Sequence, residues 1–388
     1  MSETHSDQRL QLGIRLTEQV LDPMKRTFVG KDEIIDLLGI SLVARENLFI
    51  LGPPGTAKSA LIQDLACRIE GRVFDYLLTR FTEPNEIFGP FDIRKLREGE
   101  LVTNTEGMLP EAAFVFLDEL LNANSAILNS LLLVLNERVF RRGRETRKLP
   151  TLMVVGASNR LPEDDALGAL FDRFLLRVRC DNVDHEELSD VLVAGWKLAI
   201  KSDEELSTIS VEDVRQLHGL LREVDFSEVR SDYVELIHRL RHAGIMVSDR
   251  RAVKLQTMLA ASAILCGRLQ VNRTDMWVLR YIWDTEEQQD VLATIIGDVL
   301  ERANDEEKAT SHPRSRGADS PDPERLANDL QQISARLSNG DVPDMDRTSL
   351  QDQLGVLASR CQWVTDEQQR NHLQEKLDSL LSQLGEPS

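Results

Sequence analysis

A glycine-rich turn that ends in a lysine and a serine is the sequence feature with the clearest chemistry. Residues 52–59 read GPPGTAKS and stand between the apolar run Leu48–Leu51 and a stretch with helical spacing. Glycines let the backbone curl so that successive N–H groups point at phosphate oxygens, and the helix that follows adds the positive end of its dipole. We therefore predict a phosphate-binding site formed by Gly52, Pro53, Pro54, Gly55, Thr56, Ala57, Lys58, Ser59 and Ala60.

The lysine and the serine of this turn have different tasks in such a site. Lys58 is placed to reach the terminal phosphates and the Ser59 hydroxyl to ligate Mg²⁺, so we expect ATP and Mg²⁺ as cofactors. The strict pattern has glycine before the lysine, whereas this chain has Ala57. A methyl group is tolerable there if the backbone keeps a negative φ, and we expect the function of the loop to survive the change. An ordinary glycine and proline turn is the alternative interpretation.

An acidic pair follows another apolar run. Residues 112–119 read AAFVFLDE, so that Asp118 and Glu119 stand at the end of a predicted buried strand. Carboxylates at such a position are costly unless a cation or water contacts them. Asp118 would ligate Mg²⁺ directly or through water, and Glu119 would act as general base on the attacking water. A strand end with a solvated turn is the alternative, which the upstream phosphate loop disfavours.

Strands that alternate with helices must position these groups. The alternation predicts an α/β fold with a mostly parallel sheet over residues 1–183. Residues 184–302 have an almost purely helical pattern, which predicts a second, all-α domain. The apolar runs that indicate strands are Leu48–Leu51, Val73–Leu78, Phe114–Leu117 and Leu152–Gly156.

The last part of the chain has a different composition. Residues 303–323 combine charge, serine, glycine and proline, which is typical of a flexible linker. Residues 324–388 contain three segments, 326–337, 350–361 and 373–384, with apolar residues at 4-3-4 spacing. This spacing predicts a small helical C-terminal module. It is either a self-contained helical bundle or a docking element for a partner, and the sequence leaves both open.

Composition limits the classes of partner. The formal net charge of -19 argues against generic duplex binding, since phosphate contacts need a cationic face, so we regard nucleic acid as an unlikely partner. No run of about 18 apolar residues is present, and we expect no membrane span. The polar N-terminal stretch and the four widely spaced cysteines predict a cytoplasmic protein with reduced thiols.

The order of the motifs resembles one branch of a known family. GPPGTAKS, FVFLDE, VVGASN and LFDRF resemble the MoxR branch of AAA+ ATPases, and TRFTEPNEIFGP and VSDRR are most similar to the RavA group within it. The resemblance covers roughly residues 10–300. It implies a P-loop AAA+ core with an all-α lid, in a homo-oligomeric ring, typically a hexamer, that hydrolyses ATP at subunit boundaries. It also implies chaperone-like remodelling of client proteins with a von Willebrand factor A domain partner.

Two further catalytic residues are implied only by the resemblance. Asn159, which closes the run Leu152–Ser158, matches the sensor that polarises the attacking water, and a turn asparagine is the alternative. Arg173 matches the arginine finger that reaches the γ-phosphate of a neighbouring subunit. A delocalised cation there stabilises the charge of the transition state. A salt bridge to Asp172 is the alternative for Arg173.

The remaining site residues come from two other matches. Arg250 matches the second sensor, on the lid. The family more often has proline where this chain has Asp249, which leaves Arg251 as a competitor for that role. Val29 and Gly30 resemble the segment that lines the adenine pocket.

Two insertions also match the branch. Residues 80–110 resemble a helix-2 insert, and residues 136–150 resemble the hairpin before the first sensor. The hairpin carries a basic cluster that suits either an anionic partner or the acidic surface of the next subunit. Its members are Arg138, Arg141, Arg142, Arg144, Arg147 and Lys148.

These features leave two alternatives to a remodelling ATPase. One is an MCM-like nucleic-acid motor, which the basic cluster favours and the acidic net charge opposes. The other is a nucleotide-gated scaffold with little turnover, which the presence of Glu119 and Arg173 opposes.

Overall fold

The computed structural model describes residues 3–142, 145–162, 165–183, 187–200 and 208–316, and isolated positions between 330 and 380. The chain divides into two compact units, Met1–His312 and Pro313–Ser388. No helix among the described residues combines the length and the apolar character that crossing a bilayer requires.

A parallel sheet of five strands forms the centre of the first unit. Its order is β2-β3-β6-β1-β7, and the two remaining strands form a separate antiparallel hairpin. All side chains of β1 and β6 are buried, as expected when helices cover both faces of a parallel sheet. The strands are β1 (Leu48–Leu51), β2 (Val73–Leu77), β3 (Phe114–Asp118), β4 (Val139–Arg142), β5 (Glu145–Lys148), β6 (Met153–Ser158) and β7 (Leu176–Arg179).

Helices flank this sheet and continue into a helical region. The predicted α/β class with a parallel sheet and a helical second part is confirmed. The helices are α1 (Glu3–Leu16), α2 (Asp22–Thr27), α3 (Asp32–Ala44), α4 (Lys58–Arg68), α5 (Pro84–Phe88), α6 (Ile93–Arg97), α7 (Ser125–Glu137), α8 (Asp165–Phe171), α9 (Leu188–Ile200), α10 (Val211–Leu220), α11 (Arg230–His242), α12 (Asp249–Leu265), α13 (Gln288–Glu301) and α14 (Asp305–Ala309). A π-helical turn at Thr17–Leu21 and 3-10 turns at Leu109–Glu111, Leu120–Asn122, Arg273–Tyr281 and Pro313–Arg316 complete the described elements.

Two side chains join the α/β part to the helical region. Arg177 of β7 is fully buried, and its Nη1 lies 2.8 Å from the Asp284 carboxylate. Arg251 of α12 contacts the same carboxylate at 3.2 Å. Burial is the main reason that the pKa of Arg177 falls to about 9, and the nearby charge of Arg251 lowers it further. The shared carboxylate therefore fixes the first turn of α12 against the sheet.

The predicted flexible linker was wrong from residue 303 to residue 312. Asn304 and Glu307 form a capping box at the start of α14. Glu307 also pairs with Arg273 at 3.4 Å, and the His312 ring stacks on Trp277 with centroids 4.6 Å apart. Composition alone indicated a linker, because it does not take into account that Asn304 and Glu307 have the spacing of a capping box, which starts a helix. The part of the predicted linker from residue 317 onward lies outside the described residues.

The C-terminal unit is described at few positions. Leu330, Leu354 and Leu373 are helical and buried, as are Leu377 and Leu380, so the predicted helical C-terminal region is confirmed. The other positions of the three periodic segments lie outside the described residues. The limits of the core, the lid and the C-terminal module stay predictions.

Candidate nucleotide-binding site

The phosphate loop begins where two strand ends come close together. The Gly52 N–H donates to the Ser158 carbonyl at 2.9 Å, so the loop leaves β1 beside the end of β6. A Cβ atom on Gly52 would lie 2.2 Å from the carbonyl oxygen of Cys180, which follows β7. Only glycine fits this approach. Gly55 has a φ of 84°, which also favours glycine.

The conformation of Ala57 does not meet the condition under which alanine is tolerable. That condition was a negative φ, but Ala57 has φ 66° and ψ 22°, in the left-handed region. The chain reverses its curl here, directly before α4 begins at Lys58. A left-handed conformation costs an L-residue roughly 1–2 kcal/mol, so the loop holds a strained residue beside its lysine.

Lys58 lies across the centre of its own loop. Its Nζ donates to the carbonyls of Gly52 at 3.0 Å and Pro53 at 2.7 Å, and the side chain is buried. The Thr56 hydroxyl also donates to the Pro53 carbonyl, at 3.0 Å. These partners are neutral carbonyls, so a phosphate oxygen can replace them with a stronger, charge-assisted bond. Ser59, in the first turn of α4, is half-buried beside Lys58.

The acidic pair lies close to this lysine. Burial and then the charge of Asp118 raise the pKa of Glu119, while Lys58 and Arg160 oppose that rise. Glu119 has a left-handed φ of 51°, and its N–H donates to the Asp118 carboxylate at 3.0 Å. The structure therefore brings Lys58, Asp118 and Glu119 within electrostatic reach. A carboxylate with a raised pKa is a stronger base than an ordinary one.

Asn159 follows β6, the strand that lies between β3 and β1 in the sheet. It is exposed at the edge where the phosphate loop and the acidic pair also emerge, because the carboxyl ends of parallel strands meet there. The sequence reasoning missed two neighbours. Asn122 donates to Glu119 at 3.4 Å and accepts from Arg160 at 3.4 Å. The position of Asn122, one turn beyond Glu119, was an available signal.

A cavity of about 410 Å³ lies at the predicted adenine segment. Gly30 lines it with φ 70°, and a Cβ there would lie 2.8 Å from the Val183 side chain. The half-buried Val29 precedes Gly30 and does not line the cavity. The lining residues that the sequence reasoning missed include Asp181, Glu187, Tyr281, Trp283 and Gln289, which only the fold assembles.

Arg173 lies at the other end of β1. Its carbonyl accepts from Asn47 at 2.9 Å, and Asn47 immediately precedes β1, whereas the phosphate loop follows it. At roughly 3.3 Å per residue, Asn47 and Gly52 are about 16 Å apart. The Arg173 guanidinium pairs with Asp172 at 2.9 Å, which is the alternative that the sequence left open. The structure thus does not bring Arg173 to the phosphate loop of its own chain.

Arg250 lies near Arg173 rather than near Lys58. It donates to Asn136 at 3.1 Å, and the preceding Leu135 carbonyl accepts a bond from Asn47. Arg251 is buried and donates to the carbonyls of Met246 and Ile282, in addition to its contact with Asp284. The Arg251 side chain is therefore held by contacts within the helical region, and Arg250 is the exposed member of the pair.

The basic hairpin is largely occupied by contacts within the chain. Arg142 donates to the Gly89 carbonyl at 2.8 Å and to Asn85 at 2.6 Å, and it stacks over the Phe91 ring. Arg147 donates to Thr105 at 2.9 Å, and Arg138 is buried. These bonds tie the hairpin to residues 80–110. Arg141 and Lys148 remain exposed, and Arg144 lies outside the described residues.

Two family models match the chain. Residues 14–219 match the family model described as the MoxR domain in the MoxR–vWA–β-propeller ternary systems. Residues 228–296 match the model of an AAA lid domain. The chain belongs to the MoxR family of AAA+ proteins. None of these matches singles out the RavA group, so that finer assignment stays a prediction.

Relatives of this MoxR chain come from several organisms. The uncharacterized proteins MJ0812 and MJ0079 of Methanocaldococcus jannaschii are each 36% identical, covering 70% and 74% of this chain and 72% and 74% of their own lengths. Chaperone MoxR1 of Mycobacterium tuberculosis is 24% identical, over 57% of this chain and 58% of its own. A crystal structure from Cytophaga hutchinsonii, of a protein proposed to be an ATPase, has a TM-score of 0.63 and 19% identity. It covers 78% of this chain and 99% of that protein, and at this identity it supports the fold alone.

Proposed function

We propose that this MoxR chain hydrolyses ATP at sites that a neighbouring copy of the chain completes. The observation that carries the proposal is the separation of Lys58 and Arg173 at opposite ends of β1. The two ends of β1, at Asn47 beside Arg173 and at Gly52 of the phosphate loop, are about 16 Å apart, which is longer than an arginine side chain. A copy that presents its Arg173 end to the phosphate loop of the next copy supplies the missing cation.

The residues present fit ATP and Mg²⁺. The loop from Gly52 to Ser59 would hold the phosphates through its N–H groups and Lys58, and Ser59 and Asp118 would hold the metal ion. Bound Mg²⁺ would neutralise phosphate charge. Glu119, with its raised pKa, would accept the proton of the attacking water, and Asn159 would orient that water. Gly30 and the cavity beside it would receive the base.

The neighbouring copy would contribute a pair of cations. Arg173 and Arg250 share one end of the molecule through Asn47, Leu135 and Asn136. Arg173 would exchange its partner Asp172 for the γ-phosphate, where such a finger is worth about 10³–10⁵ in rate. A head-to-tail contact gives a ring when its repeated rotation closes, and a hexamer is the closed ring we propose.

The work done with this ATP is remodelling or assembly of a client protein. The description of the matched family model mentions systems with vWA and β-propeller proteins, and one relative is named a chaperone. We therefore propose a partner with a von Willebrand factor A domain. The hairpin and residues 80–110 are joined through Arg142 and would move as one body. Membership of the RavA group and a cytoplasmic location are part of the same proposal.

A nucleic-acid motor has less support than remodelling. The basic hairpin was its main argument, yet Arg138 is buried and Arg142 and Arg147 already have partners within the chain. A scaffold without turnover is disfavoured by the raised pKa of Glu119 beside Lys58.

Phosphate release and sedimentation of the purified chain with ATP and Mg²⁺ test the proposal. The wild-type chain should form oligomers, and its rate per subunit should rise with protein concentration. Arg173→Ala should bind ATP normally but lose about 10³-fold or more in turnover. Arg215→Ala, which removes an exposed arginine of α10, is the matched control and should behave like wild type. A monomer with undiminished turnover would contradict the proposal.

A further inference from the structure

Helix α9 exposes a continuous apolar face. Leu188, Leu192, Val193 and Trp196 recur at helical spacing, and we call these residues the α9 face. Leu192 is 66% exposed and Trp196 is 70% exposed. An amphipathic helix normally buries such a face against the rest of the protein. Exposed apolar patches of this kind mark sites of protein association.

The α9 face begins at the wall of the nucleotide cavity. Val183 and Glu187, which precede α9, line that cavity together with Gly30. Helix α2 contacts both α9 and α4, the helix that starts at Lys58. The α9 face therefore lies on the side of the molecule that holds the phosphate loop.

Two exposed apolar side chains stand on either side of Arg250 in the chain. Met246 is 77% exposed and Val253 is 66% exposed, and we call these two residues the α12 patch. The Met246 carbonyl accepts a bond from Arg251, and Val253 follows Arg250 by one helical turn. The α12 patch thus accompanies the arginine that the proposed function assigns to the neighbouring site.

We propose that the α9 face of one copy packs against the α12 patch of the next copy. This inference rests on the proposed function, because a copy that brings Arg173 and Arg250 to a phosphate loop also brings its α12 patch. The exposed Asp190 of α9 and Arg250 add charges of opposite sign to the two surfaces.

Such a contact is heterologous, since two different surfaces of the same chain meet. An open assembly keeps one free α9 face at one end and one free α12 patch at the other until the ring closes. The occupant of the α9 face is therefore a second copy of this chain.

Two charged substitutions separate the surfaces. Trp196→Asp should block the α9 face and Met246→Asp the α12 patch, and both side chains are exposed, so neither change disturbs the core. Loss of a central aromatic or apolar anchor weakens association by about 30-fold or more. Each variant alone should therefore sediment as a monomer at micromolar concentration with ATP and Mg²⁺. Ile93→Asp, at an exposed position of α6, is the matched control and should assemble like wild type.

Mixing the two variants gives the decisive result. Trp196→Asp retains its α12 patch and Met246→Asp retains its α9 face, so the mixture should form a dimer and no larger species. That dimer has one complete site, in the Met246→Asp subunit. Adding Lys58→Ala to that subunit should abolish the recovered turnover, whereas adding it to the Trp196→Asp subunit should leave the turnover unchanged.

Several results would overturn this inference. Assembly of Trp196→Asp like wild type would show that α9 meets another occupant, such as the C-terminal module or a different protein. A mixture that stays monomeric would show that the two surfaces are not partners. Binding of a fluorescent ATP analogue checks that each variant is folded, and Leu192→Asp replaces Trp196→Asp if it is not. A wild-type chain that stays monomeric would instead refute the proposed function.

Discussion

Ala57→Gly should stabilise the protein, although it removes a methyl group beside Lys58. Ala57 has φ 66°, and an L-residue there costs roughly 1–2 kcal/mol, which glycine does not incur. Glycine gives back roughly 0.4–1 kcal/mol by loosening the unfolded chain. The net gain is about 0.5–1 kcal/mol, and for a unit as long as Met1–His312 an unfolding entropy of roughly 2.1 cal/mol/K per residue gives about 1.5 °C per kcal/mol, so Tm should rise by about 1 °C.

Calorimetry of the full chain without nucleotide measures this change. Ala60→Gly is the matched control, because Ala60 lies within α4 and glycine in a helix costs roughly 1 kcal/mol. Ala57→Val should also lower Tm, since a β-branched residue is strongly disfavoured at positive φ. We therefore predict that Ala57→Gly raises Tm and that Ala60→Gly lowers it. A lower Tm for Ala57→Gly would refute the left-handed geometry of the loop.

Three further predictions concern other parts of the MoxR chain. Glu119→Gln should bind ATP but release phosphate about 10²-fold or more slowly, and wild-type turnover should fall with decreasing pH through the raised pKa of Glu119. Burial lowers the pKa of His218 to about 4, so the unfolded chain takes up a proton first as pH falls below about 6.5. The free energy of unfolding should therefore fall by about 3 kcal/mol between pH 6.5 and pH 4. Urea titrations of the His218→Asn variant at the two pH values should not show this decrease. Arg142→Ala should increase hydrogen exchange over residues 80–110, where its hydrogen bonds and ring contact hold the insert, and leave ATP affinity unchanged.

Local patterns were sufficient to predict the elements that hold the candidate site. The apolar runs before Gly52 and Asp118 predicted buried parallel strands, and parallel strands bring their carboxyl ends to one edge. Lys58 and Glu119 are consequently near each other, as the motifs indicated. The pairing of Arg173 with Asp172 was foreseen as an alternative, because adjacent opposite charges need no tertiary information.

Other features depend on contacts between distant residues. Asp181 and Gln289 reach one cavity only after the lid folds against the sheet. Arg142 looked like a residue for an anionic partner, but its partners are Gly89 and Asn85 of the insert. The left-handed φ of Ala57 was missed for a different reason, since a loop that must reverse before a helix overrides the local preference of alanine.

The central claim is that Arg173 acts on the nucleotide of a neighbouring copy. A mixture of Lys58→Ala and Arg173→Ala chains tests it most directly, because each variant alone lacks one half of every site. We predict that phosphate release reappears on mixing, at sites where an intact loop of the Arg173→Ala chain meets Arg173 of the Lys58→Ala chain. A mixture as inactive as its two components, although it assembles like wild type, would contradict the account.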